Sequence, residues 1–184
     1  ARYNQPYVKE FVEERSLQVY FVLDLSGSSS FGNKISKGKK GLEIIASLMF
    51  AALRNNDNIA IFLFTDRIEK FIPARKGKKH VLKILRSIIS FQPKSNRTNL
   101  KITLDRISQI LKRRSILFVL SDFFDSSNYL KALKIMRRKH DIIFVKITDP
   151  REQEFPKIGL IELEDKETGE QILVDTSNPL FLKN

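Results

Sequence analysis

Residues 17–32 read LQVYFVLDLSGSSSFG, and this stretch constrains the fold more than any other. Val19, Tyr20, Phe21, Val22 and Leu23 form a short continuous apolar run, rich in β-branched and aromatic side chains. A run of this kind, cut off by a carboxylate and small hydroxyl residues, is the pattern of a strand buried on both faces, as in a parallel sheet. In open α/β sheets ligands sit in the crevice beyond the carboxyl ends of the strands, so Asp24, Ser26 and Ser28 fall where a site belongs. Their D-x-S-x-S spacing brings three oxygen-bearing side chains into one loop, and oxygen is the donor that hard cations take.

The rest of the chain alternates helical and strand patterns. Leu42, Ile45, Met49, Ala52 and Leu53 recur at helical spacing and predict a helix from about Lys34 to Arg54. Asn58 to Phe64, NIAIFLF, reads as a second buried strand, and Thr65, Asp66 and Arg67 as a tight turn into Ile68 to Ile72. So short a connection makes an antiparallel hairpin, so the third strand runs against the first two. A helix carrying Val81, Leu82, Leu85, Ile88 and Ile89 on its apolar stripe then returns the chain, bringing the loop Phe91 to Asn99 to the same end as Asp24. The next helix, with Leu100, Leu104, Ile107 and Leu111, leads into a fourth strand, Ser115 to Leu120, which ends on Ser121 and Asp122. Asn128 to Lys139 predicts a helix whose last turn is basic, favourable at the negative end of the helix dipole. Asp141 to Ile147 reads as a fifth strand, and Lys157 to Leu163 with Gln171 to Val174 as an edge hairpin around Glu167, Thr168 and Gly169.

This order implies an α/β fold: a doubly wound, mostly parallel, Rossmann-like sheet with one antiparallel edge strand. Right-handed crossovers on both faces place the first and fourth strands side by side at the switch point. Asp24 and Asp122 then face one crevice with Thr98 above it, while Ser121 and Asp125 are expected to bond to loop backbone.

A chain of 184 residues, 42% of them hydrophobic, is enough for one domain with a sizeable core. That domain is expected to span residues 1–184, with 1–15 leading in from a preceding segment and 176–184 as a tail whose Leu180, Phe181 and Leu182 lack evident cover. Opening on Ala1, the sequence is expected to be a piece of a longer protein. No apolar run approaches the roughly 18 residues of a membrane span. The absence of cysteine excludes disulfides and thiolate metal sites and fits a reducing compartment.

A net charge of +12 raises nucleic acid as a partner. Lys34, Lys37, Lys39 and Lys40 lie near the proposed site, however, whereas Lys112 to Arg114 and Arg137 to Lys139 lie at the opposite end of the sheet. Charge spread in this way predicts no specific nucleic-acid complex, only weak, salt-sensitive binding. Enzyme chemistry fares no better. The run GSSSFGNK misses the phosphate-binding loop pattern because Asn33 stands where its lysine belongs and Lys34 where its hydroxyl belongs. His80 and His140, the only histidines, cannot be placed beside Ser28, so a serine nucleophile lacks a base. The chain is therefore not expected to be an enzyme; a Mg²⁺-dependent phosphatase-like hydrolase and a basic nucleic-acid-binding domain are the alternatives.

Asp24, Ser26 and Ser28, with Thr98 and Asp122 from two later loops, resemble the metal-ion-dependent adhesion site (MIDAS) of von Willebrand factor A domains. The stretches VKEFVEER, FVLDLSGSSSFG, TNL at Thr98, LSDF at Leu120, and TDPREQEFP through DKETGE are similar to a bacterial family found beside MoxR-type AAA ATPases. In that family a glycine usually precedes the threonine, whereas Asn96 and Arg97 stand here. The resemblance implies a metal-ion-dependent protein-binding module acting as an adaptor, without chemistry of its own. It implies Mg²⁺ as the cofactor, with Mn²⁺ or Ca²⁺ as alternatives, held by Asp24, Ser26, Ser28, Thr98 and Asp122. The implied partner is a protein offering an acidic side chain, with a MoxR-type ATPase as the candidate. The implied location is cytoplasmic, with membrane association through an N-terminal region outside this sequence.

Overall fold

A computed structural model describes residues 16–27, 37–125, 127–147, 159–164 and 170–175. In it the apolar runs become strands: β1 (Gln18–Asp24), β2 (Asn58–Phe64), β3 (Ile68–Arg75), β4 (Ile116–Ser121) and β5 (Asp141–Lys146). They form one five-stranded sheet in the order β3-β2-β1-β4-β5. Pairing is parallel throughout except between β2 and β3, whose connection is too short for a crossover. The predicted hairpin and the predicted neighbourhood of β1 and β4 are both present.

Helices cover both faces. On one side α1 (Lys37–Arg54) and α2 (Lys78–Ile89) pack against Val19, Phe21 and Leu23 of β1 and Ile59, Ile61 and Leu63 of β2. On the other, α3 (Leu100–Ile110) and α4 (Leu130–Arg137) pack against Val22, Phe62, Phe64, Leu117 and Val119. Alternate residues of a central strand thus serve opposite cores, which is why β1 and β2 need unbroken apolar runs. Burying a side chain such as Phe21 or Phe62 completely is worth about 1.5–3 kcal/mol.

Two details differ from the sequence pattern. In α2 the core positions are Val81, Ile84 and Ile88, with Leu85 packed beside them, whereas Leu82 and Ile89 are exposed. Val81, Leu85 and Ile88 thus face the core as expected, and the buried face takes in Ile84 in place of Leu82 and Ile89. The late hairpin, β6 (Leu160–Glu164) and β7 (Gln171–Asp175), forms an antiparallel sheet of its own and does not extend the edge of the main one. Glu167, Thr168, Gly169, the lead-in at 1–15 and the tail with Leu180, Phe181 and Leu182 lie outside the described residues.

Candidate functional site

The site grows out of the shared register of β1 and β4. Leu23 pairs with Leu120, so Asp24 and Ser121 follow side by side where the two central strands end. Ser121 Oγ donates to Asp24 Oδ2 at 2.6 Å. Asp24 Oδ1 accepts the backbone N–H of Ser26 at 2.9 Å, and the Ser26 hydroxyl also hydrogen-bonds the carboxylate. Asp24, Ser26 and Asp122 are all buried, at 1%, 0% and 2% exposure, although polar groups at strand ends usually meet water.

Asp122 shows what this burial leaves undone. Its Oδ1 accepts the N–H of Phe124 at 3.1 Å, but its Oδ2 is buried and makes no hydrogen bond to any of the described residues. A carboxylate oxygen left in that state costs at least the desolvation of the group, on the order of 1–3 kcal/mol or more, unless a ligand completes it. Burial, the largest cause, pushes Asp24 up to about 6; the hydrogen bonds from Ser121 and Ser26 oppose the rise, and the nearby Asp122 charge adds to it. Among the described residues no lysine or arginine pairs with either carboxylate. Two acids held close together without a cation form an electrostatic deficit.

The third loop reaches the same end of the sheet. Gly27 N–H donates to the carbonyl of Asn96 at 2.8 Å, and Asn99 N–H donates to the carbonyl of Thr65 at 3.2 Å. Half-buried Thr98 is thus carried on a loop tied both to the β1 loop and to the β2–β3 turn. The Asn96 carbonyl makes its bond from this backbone with no glycine before Thr98. Ser28, the remaining predicted site residue, lies outside the described residues.

Four further residues hold these loops, and two of them, Ser121 and Asp125, bond loop backbone as expected. Ser121 accepts the N–H of Phe123 at 3.0 Å, as expected, and also bonds Asp24. Its signal in the sequence was its position, the residue after the strand that neighbours β1. Asp125 accepts the N–H of Leu100 at 2.6 Å and both the N–H and hydroxyl of Ser127, so the β4 loop is pinned to the start of α3. Buried Thr65 donates to Glu69 at 2.7 Å, and both Glu69 oxygens accept the N–H of Lys94 at 3.0 Å, which fixes the beginning of the Thr98 loop. The histidines stay away from this cluster: His80 Nε2 contacts the carbonyl of Ile59, at the opposite end of β2, and His140 is buried after α4.

Chemically the cluster offers carboxylate and hydroxyl oxygens from separate loops, a hard-donor set without the histidine or thiolate that zinc favours. Among the described residues no three histidine, cysteine or acidic side chains gather as a metal-binding group. The site therefore has two carboxylates and depends on neutral oxygens for the rest. The orphaned Asp122 oxygen fits a cation-bound state.

The chain belongs to the family described as protein of unknown function DUF58, whose model matches residues 1–183. It is 27% identical over 173 residues to the uncharacterized protein Rv1480 of Mycobacterium tuberculosis, covering 92% of this chain and 54% of that one. Over 100 residues it is 31% identical to the uncharacterized protein MAV169 of Mycobacterium avium, covering 53% of this chain and 59% of that one. The chain thus spans about half the length of the curated relatives it matches. Among solved structures its fold is similar to an aerotolerance-related membrane protein of Bacteroides fragilis, with a TM-score of 0.59, 14% identity and coverage of 91% and 85%. It is likewise similar to the conserved hypothetical protein BatB of Bacteroides thetaiotaomicron, with a TM-score of 0.58, 12% identity and coverage of 88% and 80%. At such identities the likeness is one of fold.

Proposed function

We propose that this domain is a metal-ion-dependent protein-binding module of the von Willebrand factor A type. Asp24, Ser26, Ser28, Thr98 and Asp122 hold Mg²⁺, directly or through water, with Mn²⁺ or Ca²⁺ as possible substitutes. Mg²⁺ sheds its water reluctantly and demands near-octahedral oxygen coordination. Two carboxylates and neutral hydroxyls leave its coordination open to one more anion, which an acidic side chain of a partner protein supplies. Metal and partner then bind with mutual reinforcement. The observation that carries this reading is the buried, unpartnered Oδ2 of Asp122 beside the buried Asp24.

The domain performs no reaction in this reading, since neither histidine is available as a base for a hydroxyl of the site. A MoxR-type ATPase is the partner to which the family resemblance points, and the domain works as its adaptor. The similar Bacteroides fragilis protein is a membrane protein. No helix among the described residues is long and apolar enough to cross a membrane.

Thermal unfolding with and without Mg²⁺ tests the metal. At about a hundredfold excess over the dissociation constant, a ligand of the folded state adds about 2.7 kcal/mol, so Tm rises by roughly 5–10 °C. Asp24→Ala and Asp122→Ala remove that rise. An unchanged wild-type Tm at saturating Mg²⁺, or Mg²⁺-dependent phosphate ester hydrolysis abolished by Asp24→Ala, overturns the proposal.

A further inference from the structure

We infer that Phe124 makes the site selective for an acidic side chain flanked by a large apolar one, so that the partner docks through an acidic–apolar peptide segment. This inference rests on the metal-site reading above and narrows it.

The β4 loop carries an unusual backbone for its residues. Phe123 has φ 60°, in the left-handed region that costs a bulky L-residue about 1–2 kcal/mol. Strain of this sort persists only where the surroundings over-determine it, and it concentrates at ligand clamps. Here the determinants are visible. The Phe123 N–H is held by Ser121 Oγ, and its ring packs edge-on against Phe144 with centroids 5.1 Å apart. The reversal at Phe123 turns the next side chain outward. Phe124 is 67% exposed, while its own N–H is fixed to Asp122 Oδ1.

A single exposed aromatic residue ordinarily needs no explanation. This one is distinguished by its attachment. Its backbone bonds the same carboxylate whose other oxygen lacks a partner among the described residues, so the residue bearing the ring and the acceptor share one hydrogen-bonded turn. Lys146 Nζ lies over the ring, 5.5 Å from its centre, so one face of the ring carries a cation. An apolar surface and a positive charge beside a site open to an anion complement a segment that is both acidic and apolar. Successive residues of an extended peptide rise about 3.3 Å, so a side chain one or two positions from the coordinating acid can reach this ring.

Selection from a random twelve-residue peptide library displayed on phage, with Mg²⁺ present and elution by EDTA, tests both layers. For the wild-type chain we expect recovered peptides enriched in an aspartate or glutamate with leucine, phenylalanine, tyrosine or methionine within two residues. With Phe124→Ser, whose substitution leaves the core intact, acid enrichment persists and the apolar neighbour is lost. Individual acid–leucine peptides then bind the wild type about tenfold more tightly than acid–serine ones, and Phe124→Ser removes the difference. Asp122→Ala loses both preferences. Acid enrichment without an apolar neighbour, or the same apolar preference in Phe124→Ser, overturns the role of Phe124 and leaves the metal reading standing. No Mg²⁺-dependent acid enrichment in the wild type overturns both. A dimer that dissociates on Phe124→Ser in sedimentation assigns the ring to a second copy of this chain and overturns the peptide assignment.

Discussion

The hydroxyl of Ser121 joins the carboxylate of Asp24 across 97 positions of sequence, at 2.6 Å and out of contact with water. The bond links the ends of the two central strands, and Ser121 also accepts the N–H of the strained Phe123. One side chain therefore sets both the acid of the first loop and the backbone turn of the third.

Removing it should be felt in both places. Ser121→Ala leaves a buried Asp24 oxygen and the Phe123 N–H unsatisfied, and we expect a loss of about 1–3 kcal/mol in urea unfolding. Without the bond that favours its ionised form, Asp24 should titrate higher still, as read by carboxyl NMR shifts. A variant as stable as the wild type, with Asp24 unmoved, would show that the bond is incidental.

Asp24 carries a pH dependence of defined sign. Burial above all pushes its pKa in the folded state up to about 6, from the ordinary aspartate value of 3.8. The folded state therefore holds the proton more tightly than the unfolded chain. The stability this confers is complete at low pH and is lost as pH rises through the folded value, by about 3 kcal/mol at most. Asp24→Asn keeps an acceptor for Ser26 N–H and can donate to Ser121 Oγ. In metal-free buffer we expect it to melt above the wild type at pH 7.5, with the gap closing near pH 4, and to ignore Mg²⁺ at both.

Asp125 couples two elements that the sequence separates by a whole strand. Replacing it by alanine frees the first N–H of α3 and the Ser127 turn together. Caps of this kind are worth about 0.5–2 kcal/mol. Asp125→Ala should lower stability by that amount and raise hydrogen exchange specifically at Leu100 and Ser127. Uniform protection across α3 in the variant would contradict the assignment.

His140 provides a second pH response of opposite direction. It is 3% exposed, neither ring nitrogen bonds to any of the described residues, and burial followed by the neighbouring Lys139 lowers its pKa, with Asp141 opposing. The folded state thus keeps the ring neutral where the unfolded chain would protonate it. Its contribution is intact above about pH 6.5 and declines as pH falls below it, by at most about 1.4 kcal/mol per pH unit. His140→Leu should flatten that limb of the stability curve relative to the wild type. Parallel curves from pH 7 to 5 would contradict it.

What the sequence determined by itself was the sheet and its polarity. The runs in β1 and β2 admit no amphipathic reading, and a three-residue turn at Thr65 to Arg67 permits only a hairpin. From those constraints the neighbours of β1, and hence the meeting of Asp24 with Asp122, follow by connection rules alone. In α2 the periodicity places Val81, Leu85 and Ile88 correctly, but the opposing core decides which edge of the stripe is buried, Ile84 rather than Leu82 and Ile89. Only the tertiary structure decided that Ser121, Asp125 and Glu69 hold the loops together, that Phe123 turns backward and sends Phe124 outward, and that one oxygen of Asp122 is left without a partner. Those outcomes depend on contacts between residues far apart in the chain, and hydrogen bonding at that range leaves no local pattern to read.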